Sequence, residues 1–417
     1  MKQQVANAYK KLGSTNIISN FFNLSSIQLS NTLLLILSIP IITRKIGIEE
    51  FGIMMFASRF MQLAGTVINY GTNQSGVRDV ASNLKNVKML SKVFYNTFFI
   101  RLFIFLIFLF LLPIFHFQYS NYILLALPLA LAEVVNPLFF FIGAEKLKVF
   151  NIANLICNIF TIATIIIFIN KPQDAGWVNF ILGGFNVFTY SGLLIYLHST
   201  FKIKFSILKK EEILAIAKTN FYLTVNNISV QLQQSIMIFA LTKGGNTFFL
   251  GAYSLCDRII GQCRNLLITI SNAVYPNTVK LYQQSTSLWN VYRKKTKYLV
   301  AGVFFAGSLV LFFLADFIIF TLSKEHNATA VIYLKTMALV PTISALNFLN
   351  VLDLLLKNNT VYIFRIAVIL LIISIVIAFS LLKLKLFLWI GLFTLIIEIC
   401  ALLMYEYMIK KPSLKNA

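Results

Sequence analysis

Acidic side chains are scarce in this sequence. Its 417 residues hold 14 Asp and Glu against 36 Lys and Arg, and charged residues make up only 12%. Soluble domains carry about 25%, so a globule surrounded by water is excluded and the bulk of the chain is assigned to lipid. Histidine is scarcer still. His116, His198 and His326 are scattered at the ends of apolar runs, which argues against a metal cluster or a catalytic triad. No G-x-x-x-x-G-K-[ST] phosphate loop occurs, which excludes an ATPase within the chain. The four cysteines (Cys157, Cys256, Cys263, Cys400) all fall in apolar stretches. Cys256 and Cys263 share one predicted helix about 10 Å apart, beyond disulfide reach, so they read as packing residues. The N-terminus lacks the short apolar core and cleavage site of a secretory signal and is expected to remain as the first helix.

What is present is apolar and aromatic: 58% of residues are hydrophobic and 40 are Phe. A membrane-spanning helix needs about 20 such residues. Twelve spans are predicted, near 17–42, 51–74, 93–115, 121–143, 150–169, 176–198, 217–241, 247–275, 298–320, 329–355, 361–381 and 386–408. Spans 1, 2, 7 and 8 are polar enough to score poorly on hydropathy. With the N-terminus inside, the inner segments hold 23 Lys and Arg and the outer loops 7, which predicts that both termini are cytoplasmic. The net charge of +22 therefore belongs to short loops between apolar runs, not to a nucleic-acid surface. The longest connections, 199–216 and 276–297, are expected to form amphipathic helices at the membrane surface. The first lies near the midpoint, dividing the chain into a six-helix lobe 1–198, a linker 199–216 and a six-helix lobe 217–417.

The halves echo each other. "NFF" at Asn20–Phe22 reappears as "NFY" at Asn220–Tyr222, and Gly52 and Arg59 reappear as Gly251 and Arg258. The offsets are 200 and 199, and an even helix number per half predicts a pseudo-two-fold axis along the membrane normal. The fold class is therefore all-α integral membrane, with twelve helices in two lobes.

Polar residues follow the same correspondence. Arg59, Gln62, Thr66, Asn69 and Asn73 recur at steps of three and four, the period of one helix face. So do Arg258, Gln262, Asn265, Thr269 and Asn272 on predicted helix 8, and Asn220, Thr224, Asn227, Gln231 and Gln234 on helix 7. Helix 1 carries Asn16, Asn20, Asn23, Ser26 and Ser30. A single stripe reads as hydrogen-bonding glue between helices. Four stripes on the first two helices of each half read better as the wall of one water-filled cavity. An arginine in mid-span costs about 2.5–3.5 kcal/mol, so Arg59 and Arg258 are expected to face one another across that lumen and meet an anion. Glu133 and Glu398 also lie within spans and are candidate proton-carrying, ion-coupling groups. Asp353 and Arg365 lie near a cytoplasmic end and read as snorkelling groups. Arg101 and Arg264 read equally well as structural, Arg264 with Asp257 as its partner. No cofactor or metal is expected.

Three stretches carry a resemblance. "IGIEEFG" (Ile46–Gly52) is similar to the L-G-x-x-x-F-G start of helix 2 in the multidrug/oligosaccharidyl-lipid/polysaccharide exporter superfamily. "YGTNQSGVRDVAS" (Tyr70–Ser82) is similar to that helix's exit, and "FFFIGAEKLKVF" (Phe139–Phe150) resembles the W-x-F-Q-G-x-E-[KR]-[ML] segment after helix 4. Phe139 stands where the family often has Trp, and Ile142 where it often has Gln. Within the superfamily the chain resembles Wzx-type flippases of O-antigen or capsule repeat units. That resemblance implies a bacterial inner-membrane protein that opens a cavity alternately to each side. It implies a polyprenyl-diphosphate-linked glycan as cargo, membrane lipids as surroundings and a repeat-unit polymerase as a partner. Substrate-binding candidates are then Arg59 and Arg258 for the diphosphate, with Gln62, Asn69, Asn20, Asn23, Asn220, Asn227, Gln231, Gln262 and Asn265 for the sugar. A multidrug exporter of the same fold would want carboxylates on the stripes, which they lack. A membrane glycan polymerase would want a large outer loop, and every outer loop here is short.

Overall fold

The computed structural model describes residue 34 and residues 37–114, 116–206, 210–244, 246–357 and 360–410. Asn20 and Asn23, with the rest of the helix 1 stripe and both chain ends, lie outside the described residues. Among those described, all regular structure is helical. They divide into two compact units, Leu37–Leu255 and the residues from Cys256 onward.

In the first unit, residues 37–46 are helical and Gly47 breaks the chain at φ 79°. Helix α1 (Ile48–Asn69) ends on Tyr70 and Gly71, both left-handed, and α2 (Thr72–Ser82) follows at once. Asn86 then caps α3 (Val87–Leu111) by accepting from the Met89 amide at 3.1 Å. The next span is three pieces: α4 (Ser120–Leu125), α5 (Leu127–Val135) and α6 (Leu138–Gly143). Pro128 suits the first turn of α5, whereas Pro137 cannot continue it, so the backbone at Asn136 turns extended. Helices α7 (Leu147–Phe168), α8 (Ala175–Phe201) and α9 (Lys210–Lys243) complete this unit with the start of α10 (Thr247–Gln284). The second unit holds the rest of α10, then α11 (Thr286–Phe313), α12 (Ala315–Ser323), α13 (Ala328–Met337), α14 (Val340–Leu356), α15 (Thr360–Lys383) and α16 (Gly391–Lys410).

Among the described residues nine helical stretches are long and apolar enough to cross a membrane, and they match predicted spans 2–6 and 9–12. Predicted span 2 passes at a mean hydropathy of 1.4 despite its stripe. Helices α9 and α10 form where predicted but are too polar for that criterion. At 34 and 38 residues they measure about 51 and 57 Å, well beyond a hydrocarbon core of about 30 Å.

That length corrects the two predicted surface helices. Residues 210–216 are the first turns of α9, and 276–284 the last turns of α10. Only Ser285 separates α10 from α11, and its hydroxyl caps α11 by accepting from the Ser287 amide at 3.2 Å. Continuing a helix adds a hydrogen bond per residue, so spans extend past the apolar layer instead of nucleating new helices.

Two of the stretches that carry the resemblance, Tyr70–Ser82 and Phe139–Phe150, touch directly. Gly76 on α2 packs on the Phe139 ring, and Gly143 on α6 packs on Val77 and Val80. Around them Leu90, Phe94, Phe140, Phe141 and Leu197 form a buried cluster. Elsewhere in this unit Gly52 on α1 meets Gly251 on α10, its repeat counterpart. A Cβ at Gly52 would lie 2.6 Å from the Gly251 nitrogen, and one at Gly251 would collide with the Ile48 carbonyl. The Thr247 hydroxyl donates to Glu49 beside them at 2.5 Å.

In the second unit Asp353 is fully buried, which corrects the snorkelling assignment. Its carboxylate accepts from Trp289 Nε1 at 2.6 Å and Lys357 Nζ at 2.7 Å, and pairs with Arg293 at 3.0 Å. Two cations and an indole N–H offset the desolvation that burial imposes. Arg365 is exposed.

Gly52→Ala should lower the stability of the detergent-solubilised protein by about 1–3 kcal/mol, because backbone cannot yield to the new methyl. Gly184→Ala, where nothing lies within 4 Å, should not. Thermal midpoints of the two variants check this, and equal midpoints would show that α1 and α10 do not meet there.

Candidate functional site

A cavity of about 560 Å³ lies within the Leu37–Leu255 unit. Each wall helix contributes residues three or four apart, hence one face. From α1 come Gln62, Thr66 and Asn69; from α5, Leu129, Ala132 and Glu133; from α8, Asn186 and Tyr190; from α9, Asn227, Val230 and Gln231. The first turn of α2 adds Asn73 and Gln74. Ten of the fifteen lining residues are polar and seven of those are amides, in a unit otherwise built from apolar spans.

Local geometry explains how they reach the cavity. The Asn69 carboxamide oxygen accepts from the Asn73 amide at 3.1 Å, carrying the polar face of α1 across the Tyr70–Gly71 break into α2. Gly65 makes room for Glu133, since a Cβ there would lie 2.8 Å from the glutamate's Cγ. Across the cavity Asn227 donates to Gln74 Oε1 at 3.5 Å. The Gln231 side-chain nitrogen is buried with no hydrogen-bond partner among the described residues.

Behind this wall stands Arg101 of α3, 1% exposed. Its Nε donates to Thr72 Oγ1 at 2.8 Å and its Nη2 to Asn73 Oδ1 at 2.9 Å. Its Nη1 donates to two backbone carbonyls, Glu133 at 3.1 Å and Asn136 at 2.8 Å. The reason lies in the sequence: Pro137 has no N–H to give the Glu133 carbonyl, and the Phe140 amide turns to Pro137 O instead of Asn136 O. The guanidinium serves both orphaned carbonyls and rests 5.3 Å over the Phe139 ring. Arg101 is thus structural, one of the two readings its sequence position allowed.

Of the residues expected to bind substrate, Gln62, Asn69, Asn227 and Gln231 share this cavity with Glu133. Arg59 is not among its lining residues. It lies one turn away, half-buried, donating from Nη1 to Gln62 Oε1 at 3.3 Å. Asn220 is fully buried against Gly71, and neither polar atom of its side chain has a partner among the described residues. In the second unit Arg258 is half-buried, and Asn265 donates to Gln262 at 3.4 Å. Glu398 forms a 2.8 Å ion pair with Arg264, joining α16 to α10. Gln74, Asn186 and Tyr190 were missed; a lone Asn inside the apolar run around "GGFNVF" was the signal for Asn186.

Single cysteines at Asn69, Asn227 or Gln231, in a background without native cysteines, should react with small water-soluble thiol reagents. Cysteines at Phe103, exposed on the helix exterior, or Leu370, buried in packing, should not. Equal labelling of both sets would make the polar faces interhelical glue.

The sequence profile of the "Polysaccharide biosynthesis protein" family matches residues 17–282. A "Putative O-antigen transporter" of Escherichia coli (strain K12) is 22% identical over 358 residues, 83% of this chain and 86% of its own length. A protein of the same description from Shigella dysenteriae is 25% identical over 336 residues, 77% and 82% of the two chains. Among solved structures, a multidrug resistance MATE family transporter of the MOP superfamily, inward-facing, superposes with TM-score 0.71. It is 12% identical and covers 91% of this chain and 94% of its own. The lipid II flippase MurJ, in an inward closed conformation, gives TM-score 0.69 at 15% identity, over 94% and 88%. The fold is that of these all-helical transporters, and the relatives are named as transporters and flippases, not as enzymes. With that profile covering more than half of its length, the chain belongs to the polysaccharide biosynthesis protein family, as a multi-pass membrane protein.

Proposed function

We propose that the protein is a flippase that moves undecaprenyl-diphosphate-linked oligosaccharide repeat units, of O-antigen or capsule type, across the bacterial inner membrane by alternating access. The observation that carries this reading is the amide-walled cavity. Lipid-embedded helices keep few polar groups unless they serve function, and amides suit sugar hydroxyls because both donate and accept. The family and the relatives' names favour a glycan cargo, and MurJ provides a lipid-linked precedent on the same fold. Arg59 and Arg258 are each assigned to the lipid diphosphate at some stage of the cycle, where guanidinium groups can donate bidentate hydrogen bonds. In this reading, which the excess of Lys and Arg in the inner segments supports, both termini are cytoplasmic and the delivered repeat unit passes to a polymerase outside.

One feature favours a second reading. Glu133 is a carboxyl group in the cavity wall, as an exporter of cationic drugs would use. Seven amides beside it weigh toward sugar.

In cells lacking their own flippase, the protein should restore surface polymer. Arg59→Ala and Arg258→Ala, at normal protein level, should each reduce that polymer at least about tenfold, with Lys substitutes partly active because charge survives and the fork is lost. Wild-type polymer from both Ala variants would remove the arginines from the mechanism. Efflux of cationic dyes without polymer export would establish the drug-exporter reading.

A further inference from the structure

Resting on the flippase reading, we infer that the cavity within Leu37–Leu255 holds a sugar ring of the cargo that carries no negative charge. The diphosphate and any acidic sugar stay outside it.

Hydrogen-bonding capacity argues first. Each amide side chain presents two N–H donors and a carbonyl oxygen with two lone pairs, and sugar hydroxyls can answer both. A phosphate or carboxylate can only accept, which would leave amide oxygens facing an anion.

Charge argues second. Among the described residues no Lys, Arg or His lines the cavity, and Glu133 is its one carboxyl group. An unpaired ion in such surroundings costs several kcal/mol. Glu133 worsens that for an anion when ionised and supplies no cation when protonated. For a neutral ring the same group is an acceptor for adjacent hydroxyls.

The nearby arginines do not alter this. Arg101 makes four hydrogen bonds behind the wall, and turning it inward would orphan two carbonyls. Arg59 lies about 4.5 Å along α1 from Gln62, outside the lining. A diphosphate held there would leave the attached sugar free to enter between Gln62 and Gln231. Size agrees: about 560 Å³ falls within the roughly 300–1,000 Å³ of small-molecule sites, and holds a short piece of glycan, not a whole lipid-linked unit. Among the described residues the buried Gln231 side-chain nitrogen has no acceptor, a bond costly to leave unmade.

The test uses the full chain in lipid nanodiscs with Thr66→Cys as the only cysteine, and follows its rate of labelling by a water-soluble maleimide. The probes are an uncharged N-acetylhexosamine disaccharide, a disaccharide containing a hexuronate, pyrophosphate, and sodium chloride alone. The uncharged disaccharide should protect, with about tenfold more of the acidic one needed for equal protection. Pyrophosphate and sodium should not protect. Gln231→Leu should weaken protection by the uncharged sugar, and Glu133→Gln, which preserves shape, should narrow the gap between the two sugars. Equal protection by the acidic sugar or by pyrophosphate overturns the inference, as does failure of the uncharged sugar. Protection by sodium alone would reassign the cavity to a cation. Flipping of a lipid-linked glycan in proteoliposomes separates the two claims. Protection without flipping sinks the flippase reading and spares the sugar site, whereas flipping without protection sinks the sugar site alone.

Discussion

A proline in a membrane-spanning segment leaves a carbonyl with no hydrogen to accept, and lipid offers none. In this protein Pro137 creates that debt at Glu133, the break after it adds a second at Asn136, and Arg101 answers both. The same guanidinium holds Thr72 and Asn73 in the first turn of α2. One buried cation therefore joins the body of α3, the start of α2 and the end of α5. The last two of these carry cavity walls. The position of Glu133 beside Asn69 and Asn73 follows from it, as does the contact of Phe139 and Gly143 with α2.

The hydrogen bonds on the two sides of that wall differ in kind. Those of Arg101 run from 2.8 to 3.1 Å, within the ordinary range for a protein interior. Three that involve a lining side chain are longer: 3.5 Å for Asn227 to Gln74, 3.5 Å for Asn136 to Glu133 and 3.4 Å for Gln62 to Ser58. Long, weak bonds are exchanged for ligand contacts at little loss. The scaffold is pinned while the lining is left adaptable, which suits a carrier that must release what it binds.

How much of this was legible depended on period. On α1 and α9 the polar residues recur against an apolar background, so Gln62, Thr66, Asn69, Asn227 and Gln231 stand out from the sequence alone. On α8 the two lining residues, Asn186 and Tyr190, make one step of four, too few to show a face. Arg59 illustrates another limit. A stripe tells which side of a helix is polar but not where along it a cavity begins, and here the lining starts just past that residue. Asp353 looked like a group reaching for water because it sits near a helix end. Its partners Trp289 and Arg293 lie sixty or more residues before it, and only folding brings them together. The ends of α9 and α10 were read short because hydropathy marks where lipid stops, not where a helix does.

Gly52 and Gly251 hold equivalent places in the sequence repeat, and they touch within one compact unit. A surface that meets its own equivalent is isologous, the kind of contact that two identical subunits make across a two-fold axis. If the sequence repeat records a duplication, the half-length ancestor already had at this glycine a surface able to receive a second copy of itself. Fusion into one chain would then have made that pairing permanent and freed each half to diverge, leaving glycine opposite glycine as its mark.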